Sequence, residues 1–177
     1  AWASPNEADE VAGNDAKKAW RSYVETLLGD MKASRDPEER AAALTAQPIL
    51  DQMARTDGHA DAAEPAAAAD PFARLATDAP NDLLVQWLAA TGSKPSTPTS
   101  AAAMANLQRL EPDNAAVWAL SLVASPTSSE ALQRMAAATR FDDHSNMVFA
   151  LWRAAVKRHP LPADFAGDVV IVSGDVP

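Results

Sequence analysis

The chain has 177 residues, a mass of 18.7 kDa and a net charge of −9, from 15 basic and 24 acidic side chains. It contains no cysteine, which excludes disulfides, thiolate metal sites and a thiol nucleophile. No run approaches the length of an apolar membrane span, so we predict no transmembrane helix. Alanine supplies 41 residues, and five Trp and five Met add bulk, so the composition favours an alanine-packed helical protein over a disordered one.

The first residues are acidic and predict a mobile arm over residues 1–12. Residues 1–15 and 57–82 together carry the whole net charge, so the acidity does not by itself indicate a binding face. It disfavours binding to nucleic acid. The opening Ala1-Trp2-Ala3 has the small-x-small form that precedes signal-peptide cleavage, which favours an exported or periplasmic location over a cytoplasmic one.

Next in chain order, a single helical domain is predicted over residues 13–162. Apolar residues at three- and four-residue spacing predict a first helix from a cap at Asn14 or Asp15 to about Met31. A second helix begins at Asp36-Pro37 and runs to about residue 53, and Pro48 should kink or split it. Residues 56–70 show no amphipathic period and predict a linker.

The remaining chain predicts a series of short helices and an extended tail. We predict helices over about 70–77, 80–90, 101–110, 114–124, 128–140 and 144–158, with a polar loop over 91–100. Pro160 and Pro162 end the last helix. Residues 163–177 are predicted to be extended, because they contain the β-branched run at 169–172.

One sequence pattern recurs along the chain. A helix ends, a short acidic or proline-containing turn follows, and a second helix rich in bulky apolar residues begins. The turns begin at Asp36, Pro80, Glu111 and Asp142, and repeats of this length indicate a helical array. The third and fourth copies resemble the tetratricopeptide (TPR) repeat, chiefly through Leu110-Glu111-Pro112, Asn114 to Trp118, Glu130-Ala131-Leu132, Ala138, and Phe141-Asp142. The family's glycine after its first helix is absent, the loop is short, and Asp143 replaces the final proline.

This resemblance implies an all-α fold, a short array of antiparallel helix pairs of the α-solenoid type. The alternative is an irregular helical bundle with chance similarity. In the TPR family the first helix of each pair lines the concave binding face, which by position corresponds here to Ala116, Ala119 and Val123. That face would be small and apolar, so the sequence nominates no ligand-binding residue.

The three histidines are the candidate catalytic or metal-binding groups, and each has a simpler explanation. His59 lies in the predicted linker near two aspartates, His144 follows Asp142-Asp143 at a helix start, and His159 ends a basic helix terminus. No metalloprotease, hydrolase or phosphate-binding motif occurs. We therefore predict no catalytic residue, no cofactor and no metal.

Four of the five tryptophans are predicted to pack between helices, since Trp20, Trp87, Trp118 and Trp152 lie among apolar residues at helical spacing. An aromatic peptide or glycan groove is the alternative, and Trp2 in the arm has no local partner. The preferred function is a non-catalytic protein-interaction module with a protein or peptide partner. Alternatives are a helical accessory domain of a larger enzyme or envelope protein, and a small enzyme with an unrecognised site.

Overall fold

The structure is a computed structural model that describes residues 5–56 and 69–161, with side chains described for 15–52 and 69–161. The described residues form helices and no strand, so the predicted all-α fold is confirmed. The eight helices are α1 (Pro5–Ala33), α2 (Pro37–Thr56), α3 (Ala73–Asp78), α4 (Leu83–Gly92), α5 (Pro98–Leu110), α6 (Ala115–Ala124), α7 (Ser129–Ala137) and α8 (Ser145–Arg158).

Short polar residues fix where most of the later helices begin. The side chains of Asp82, Thr97, Asn114 and Ser128 each accept a hydrogen bond from a backbone N–H in the first turn of the helix that follows. Such caps satisfy amide groups that have no partner inside the helix. The predicted helix boundaries therefore agree with the observed ones to within about three residues over 70–158, the usual uncertainty at helix ends.

The first two helices differ from the predicted ones in their extent. Helix α1 begins at Pro5, so residues 5–12 are helical rather than an arm, and proline followed by acidic residues suits the first turn of a helix. Helix α2 continues through Pro48 to Thr56, so Pro48 does not split it. The predicted linker then overlaps this helix at Thr56, and most of it, residues 57–68, lies outside the described residues, as do the tail 163–177, Trp2 and His59.

The helices pack largely as sequential neighbours. Helix α1 packs on α2, α4 on α5, and α6 on α7, and the three to five residues that join the members of each pair make antiparallel neighbours. Helix α2 also packs on α4, and α5 on α6, which joins the pairs in chain order. Helix α8 departs from this order because it packs on α1 and α2 at the other end of the chain.

The apolar core lies mainly among α1 to α5. Phe72, Leu28, Met31, Leu84 and Leu107 are its largest fully buried apolar side chains. Alanines 41–43 are completely buried where α2 meets its neighbours, since a small side chain lets two helices approach closely. Gly92 serves the same purpose, because a Cβ there would lie 2.7 Å from the ring of Phe72.

Candidate functional site

A group of polar side chains, three of them buried and two exposed, joins the turn before α6 to the segment before α8. This polar cluster consists of Glu111, Asn114, Arg140, Asp142 and His144. The Glu111 carboxylate is 8% exposed and accepts hydrogen bonds from three of its members. Asn114 Nδ2 and His144 Nε2 each lie 2.8 Å from Glu111 Oε2, and Arg140 binds Oε1.

Asn114 connects the two segments through their backbones. Its amide nitrogen donates to the carbonyl of Asp142, and its amide oxygen accepts from the N–H groups of Ala116 and Asp142. The backbone N–H of Ala115 also donates to the carbonyl of Arg140 at 2.8 Å. The completely buried Asn114 therefore caps α6 and holds the segment before α8 in place at the same time.

His144 is the most unusual residue of the polar cluster. It is 2% exposed and has a left-handed backbone conformation, with φ 56°, directly before α8. Because an ionised carboxylate only accepts hydrogen bonds, His144 Nε2 carries the hydrogen that faces Glu111. The ring edge packs on Trp87 of α4, and Nδ1 has no hydrogen-bond partner among the described residues.

Hydrogen bonds from neighbouring side chains favour the ionised form of Glu111. Burial favours the neutral acid, but hydrogen bonds from Arg140, Asn114 and His144 favour the carboxylate, and together they lower the pKa of Glu111 below its ordinary value. A buried carboxylate that is fully hydrogen bonded stabilises the turn it belongs to. The polar cluster thus joins two loops that are remote in sequence.

The polar cluster contains residue types that also occur in catalytic sites, but its histidine and its glutamate are buried. A general acid or base must reach a substrate proton, and here both His144 and Glu111 are enclosed by protein. Among the described residues no group of three or more His, Cys, Asp or Glu side chains is placed to hold a metal ion. The sequence signal for this cluster was weak, since Glu111 and His144 are 33 residues apart.

His159 contributes to a different contact. Its Nε2 lies 3.0 Å from Asp30 Oδ2 of α1, and its carbonyl accepts a hydrogen bond from the Tyr23 hydroxyl at 2.7 Å. The neighbouring Arg158 forms an ion pair with Glu39 of α2 at 2.8 Å. These contacts attach the end of α8 to the first helix pair, so the basic helix terminus that the sequence predicted has specific partners.

The tryptophans pack largely as predicted. Trp87 and Trp118 are buried, at 8% and 7% exposure. The Trp118 indole donates to the carbonyl of Pro112, and Arg134 of α7 lies over its ring. Trp20 stacks on Tyr23, and Trp152 is half-buried against the core.

A shallow groove lies where α4, α5 and α6 meet. It encloses about 180 Å³ and is lined by Ala90, Thr91, Ser93, Pro95, Ser100, Met104, Leu120, Val123 and Ala124. Of the three residues that the TPR resemblance placed on a concave face, Val123 lines this groove and is 71% exposed, whereas Ala116 is buried and Ala119 half-buried.

Large apolar side chains are exposed on the last helices. On α8, Phe149 is 62% exposed and Val156 is also exposed, and they lie two turns apart on one side of the helix. Arg153 and Lys157 lie beside them, are exposed, and form no ion pair within the described ranges. We call Phe149, Arg153, Val156 and Lys157 the α8 stripe.

Comparison with known proteins adds no relative. No protein-family model, curated protein or solved structure matches the chain. None of the described helices combines the length and apolar character needed to cross a bilayer.

Proposed function

We propose that this protein is a non-catalytic interaction module that binds a partner protein through its C-terminal helices. The observation that carries the proposal is the distribution of exposed large apolar side chains. Within the described residues, Ile49 is the only such side chain before α6, whereas six lie from α6 onward: Val123, Leu132, Phe141, Met147, Phe149 and Val156. Apolar side chains that lie together on a surface, as Phe149 and Val156 do on one side of α8, are typical of interaction sites.

The buried chemistry supports the same proposal. In the polar cluster a buried histidine meets a buried carboxylate, and the hydrogen bonds of the cluster join two loops. Enzymes need such groups at an accessible cleft, where a substrate reaches them. A helical scaffold with exposed apolar side chains, whose buried histidine and carboxylate are enclosed by protein, suits binding better than catalysis.

The test is affinity capture from source cells with three immobilised baits. They are the wild-type protein, a triple variant Val123→Gln, Phe141→Gln, Phe149→Gln, and the matched control Ile49→Gln. We expect one or more proteins to be enriched by the wild type and by the control, and to be lost with the triple variant. Equal capture by all three baits, or capture of nothing, contradicts the proposal.

A further inference from the structure

We infer that the α8 stripe binds an acidic amphipathic helix of a partner protein, which packs beside α8 as α2 packs beside α1. This inference rests on the proposed function and names the surface and the chemistry of the partner. It begins from the arrangement of helices. Helices α1/α2, α4/α5 and α6/α7 each form a pair of sequence neighbours, whereas α8 is the one remaining long helix of the described chain without such a neighbour.

Helix α8 presents apolar side chains on more than one side. Val148, Leu151, Trp152 and Ala155 face the core. Phe149 and Val156 lie on a flank of the helix that no described element covers. A helix with apolar residues beyond its core-facing side is typical of one that is enclosed by further helices. The spacing of Phe149 and Val156, two turns apart, matches the seam along which two helices pack.

The charges of α8 indicate what kind of helix fits. The helix carries Arg153, Lys157 and Arg158 and no acidic side chain. Arg158 is engaged by Glu39, which leaves Arg153 and Lys157 beside the exposed apolar residues. An amphipathic helix with carboxylates flanking its apolar side would complement these cations and would be steered towards them.

The same charges disfavour two other occupants. In an antiparallel pair of α8 helices from two copies, the central Arg153 side chains would meet, and like charges at close range repel. A basic amphipathic helix also suits an anionic membrane surface. The α8 stripe contains two cations, Arg153 and Lys157, whereas segments that bind such surfaces carry clusters of about four to eight.

The experiment selects binders from two displayed libraries of helical peptides of about 18 residues, a length that supports an isolated helix. Both libraries have randomised apolar positions two turns apart, and they differ only in whether the flanking positions are acidic or basic. We expect the acidic library to yield binders and the basic library to yield none. The affinity of the selected peptides should fall as salt is raised.

Two variants locate the binding. Phe149→Glu should weaken the selected acidic peptides by roughly tenfold or more, as expected for an apolar side chain at the centre of an interface. The matched control Ile49→Glu, at another exposed apolar side chain on a helix, should leave affinity unchanged. Arg153→Glu should weaken binding too, and a peptide with lysine in place of the facing glutamate should restore it. Circular dichroism verifies that each variant is folded.

The outcomes separate this inference from the proposed function. If capture from cells depends on Val123 or Phe141 while Phe149→Glu and Arg153→Glu leave it intact, the protein is an interaction module but the α8 stripe is not its site. Binders from the basic library, or acidic binders insensitive to Phe149→Glu, overturn the inference. Binding to vesicles of anionic lipid that is lost with Arg153→Glu, or self-association lost with Phe149→Glu, also overturns it.

Discussion

The first five helices and the last three are stabilised in different ways. Among α1 to α5 the contacts are mainly between large apolar side chains, including Phe72, Leu28 and Leu107. Five of the buried apolar side chains come from α6 to α8, and three of these are alanines. Instead, the later helices depend on Trp118 and on the hydrogen bonds of the polar cluster.

This difference shows how a chain rich in alanine orders helices that have little apolar area to bury. Alanine allows close approach but contributes little transfer free energy. Directional hydrogen bonds among Glu111, Asn114 and His144 then fix the loops between the helices. The exposed apolar side chains of α6 to α8 remain available for contacts outside the fold.

The largest expected effect is at Trp118, which has the largest of the buried side chains described from α6 to α8. Trp118→Ala removes the indole, which packs under Arg134 and donates to the carbonyl of Pro112. The free energy of unfolding should therefore fall by about 3–5 kcal/mol. Urea unfolding of the purified variant measures this change. An unchanged midpoint would mean that the ring contributes no packing, and it would favour the aromatic-groove alternative.

Glu111→Gln should have the next largest effect. The amide keeps the shape of the side chain but removes the charge that faces Arg140 and His144, and we expect a loss of about 2–3 kcal/mol, as for hydrogen bonds to a charged group. The matched control is Glu130→Gln on α7, an exposed ion pair with Arg134, which should change stability by less than about 1 kcal/mol. Equal losses of stability in Glu111→Gln and Glu130→Gln would contradict a stabilising role of the polar cluster.

Wild type and Glu111→Gln should also differ in how their stability depends on pH. The folded pKa of Glu111 is lower than in the unfolded chain, so its stabilisation is present above the unfolded pKa and is lost as the pH falls through the folded value. The stability difference between wild type and Glu111→Gln should therefore shrink as the pH falls below about 5, through and below the ordinary range of a glutamate. A difference that grows in acid would contradict the sign of this pKa shift. Thermal melts over this range measure it.

A smaller effect is expected at the contact between the two ends of the structure. Tyr23→Phe removes the hydroxyl that donates to the carbonyl of His159, and should cost about 1 kcal/mol. Thermal melts of the two proteins at one pH measure the loss. If the variant instead unfolds in two separate steps, α8 is joined to α1 mainly by that hydroxyl.

No effect at all is expected from divalent metals. The described histidines are engaged by carboxylates within the fold, His144 by Glu111 and His159 by Asp30. A ligand that binds the native state raises its melting temperature. A thermal-shift screen with zinc, calcium, magnesium and manganese should therefore show no change. A saturable shift that His144→Ala abolishes would make the protein a metalloprotein.

The sequence predicted the helices well because their signals are local. Proline, aspartate and serine at helix starts, and apolar residues at helical spacing, define most boundaries between residues 70 and 158. The start at Pro5 was missed because the acidic residues after it were interpreted as an arm. A stretch without a strong apolar stripe still forms a helix when its first turn is favourable.

The polar cluster and the packing of α8 on α1 were not predictable in the same way. Their partners are 33 and more than 100 residues apart, and no periodicity reports a contact at such a separation. For His144 the sequence showed only the adjacent aspartates, which do accept from backbone N–H groups at the start of α8. Its principal partner, Glu111, belongs to the repeat-ending phrase on which the TPR resemblance depended.

The return of α8 to the first helix pair has a consequence for folding during synthesis. Tyr23 and His159 are separated by 136 positions, so the first hairpin can leave the ribosome long before its last contacts exist. Until then the side of α1 and α2 that receives Ala155 and Trp152 is open to water. Domains fold as units once their chain has emerged, and transiently exposed apolar surface promotes aggregation. Chains that stall before α8 is made should be the aggregation-prone and protease-sensitive form of this protein.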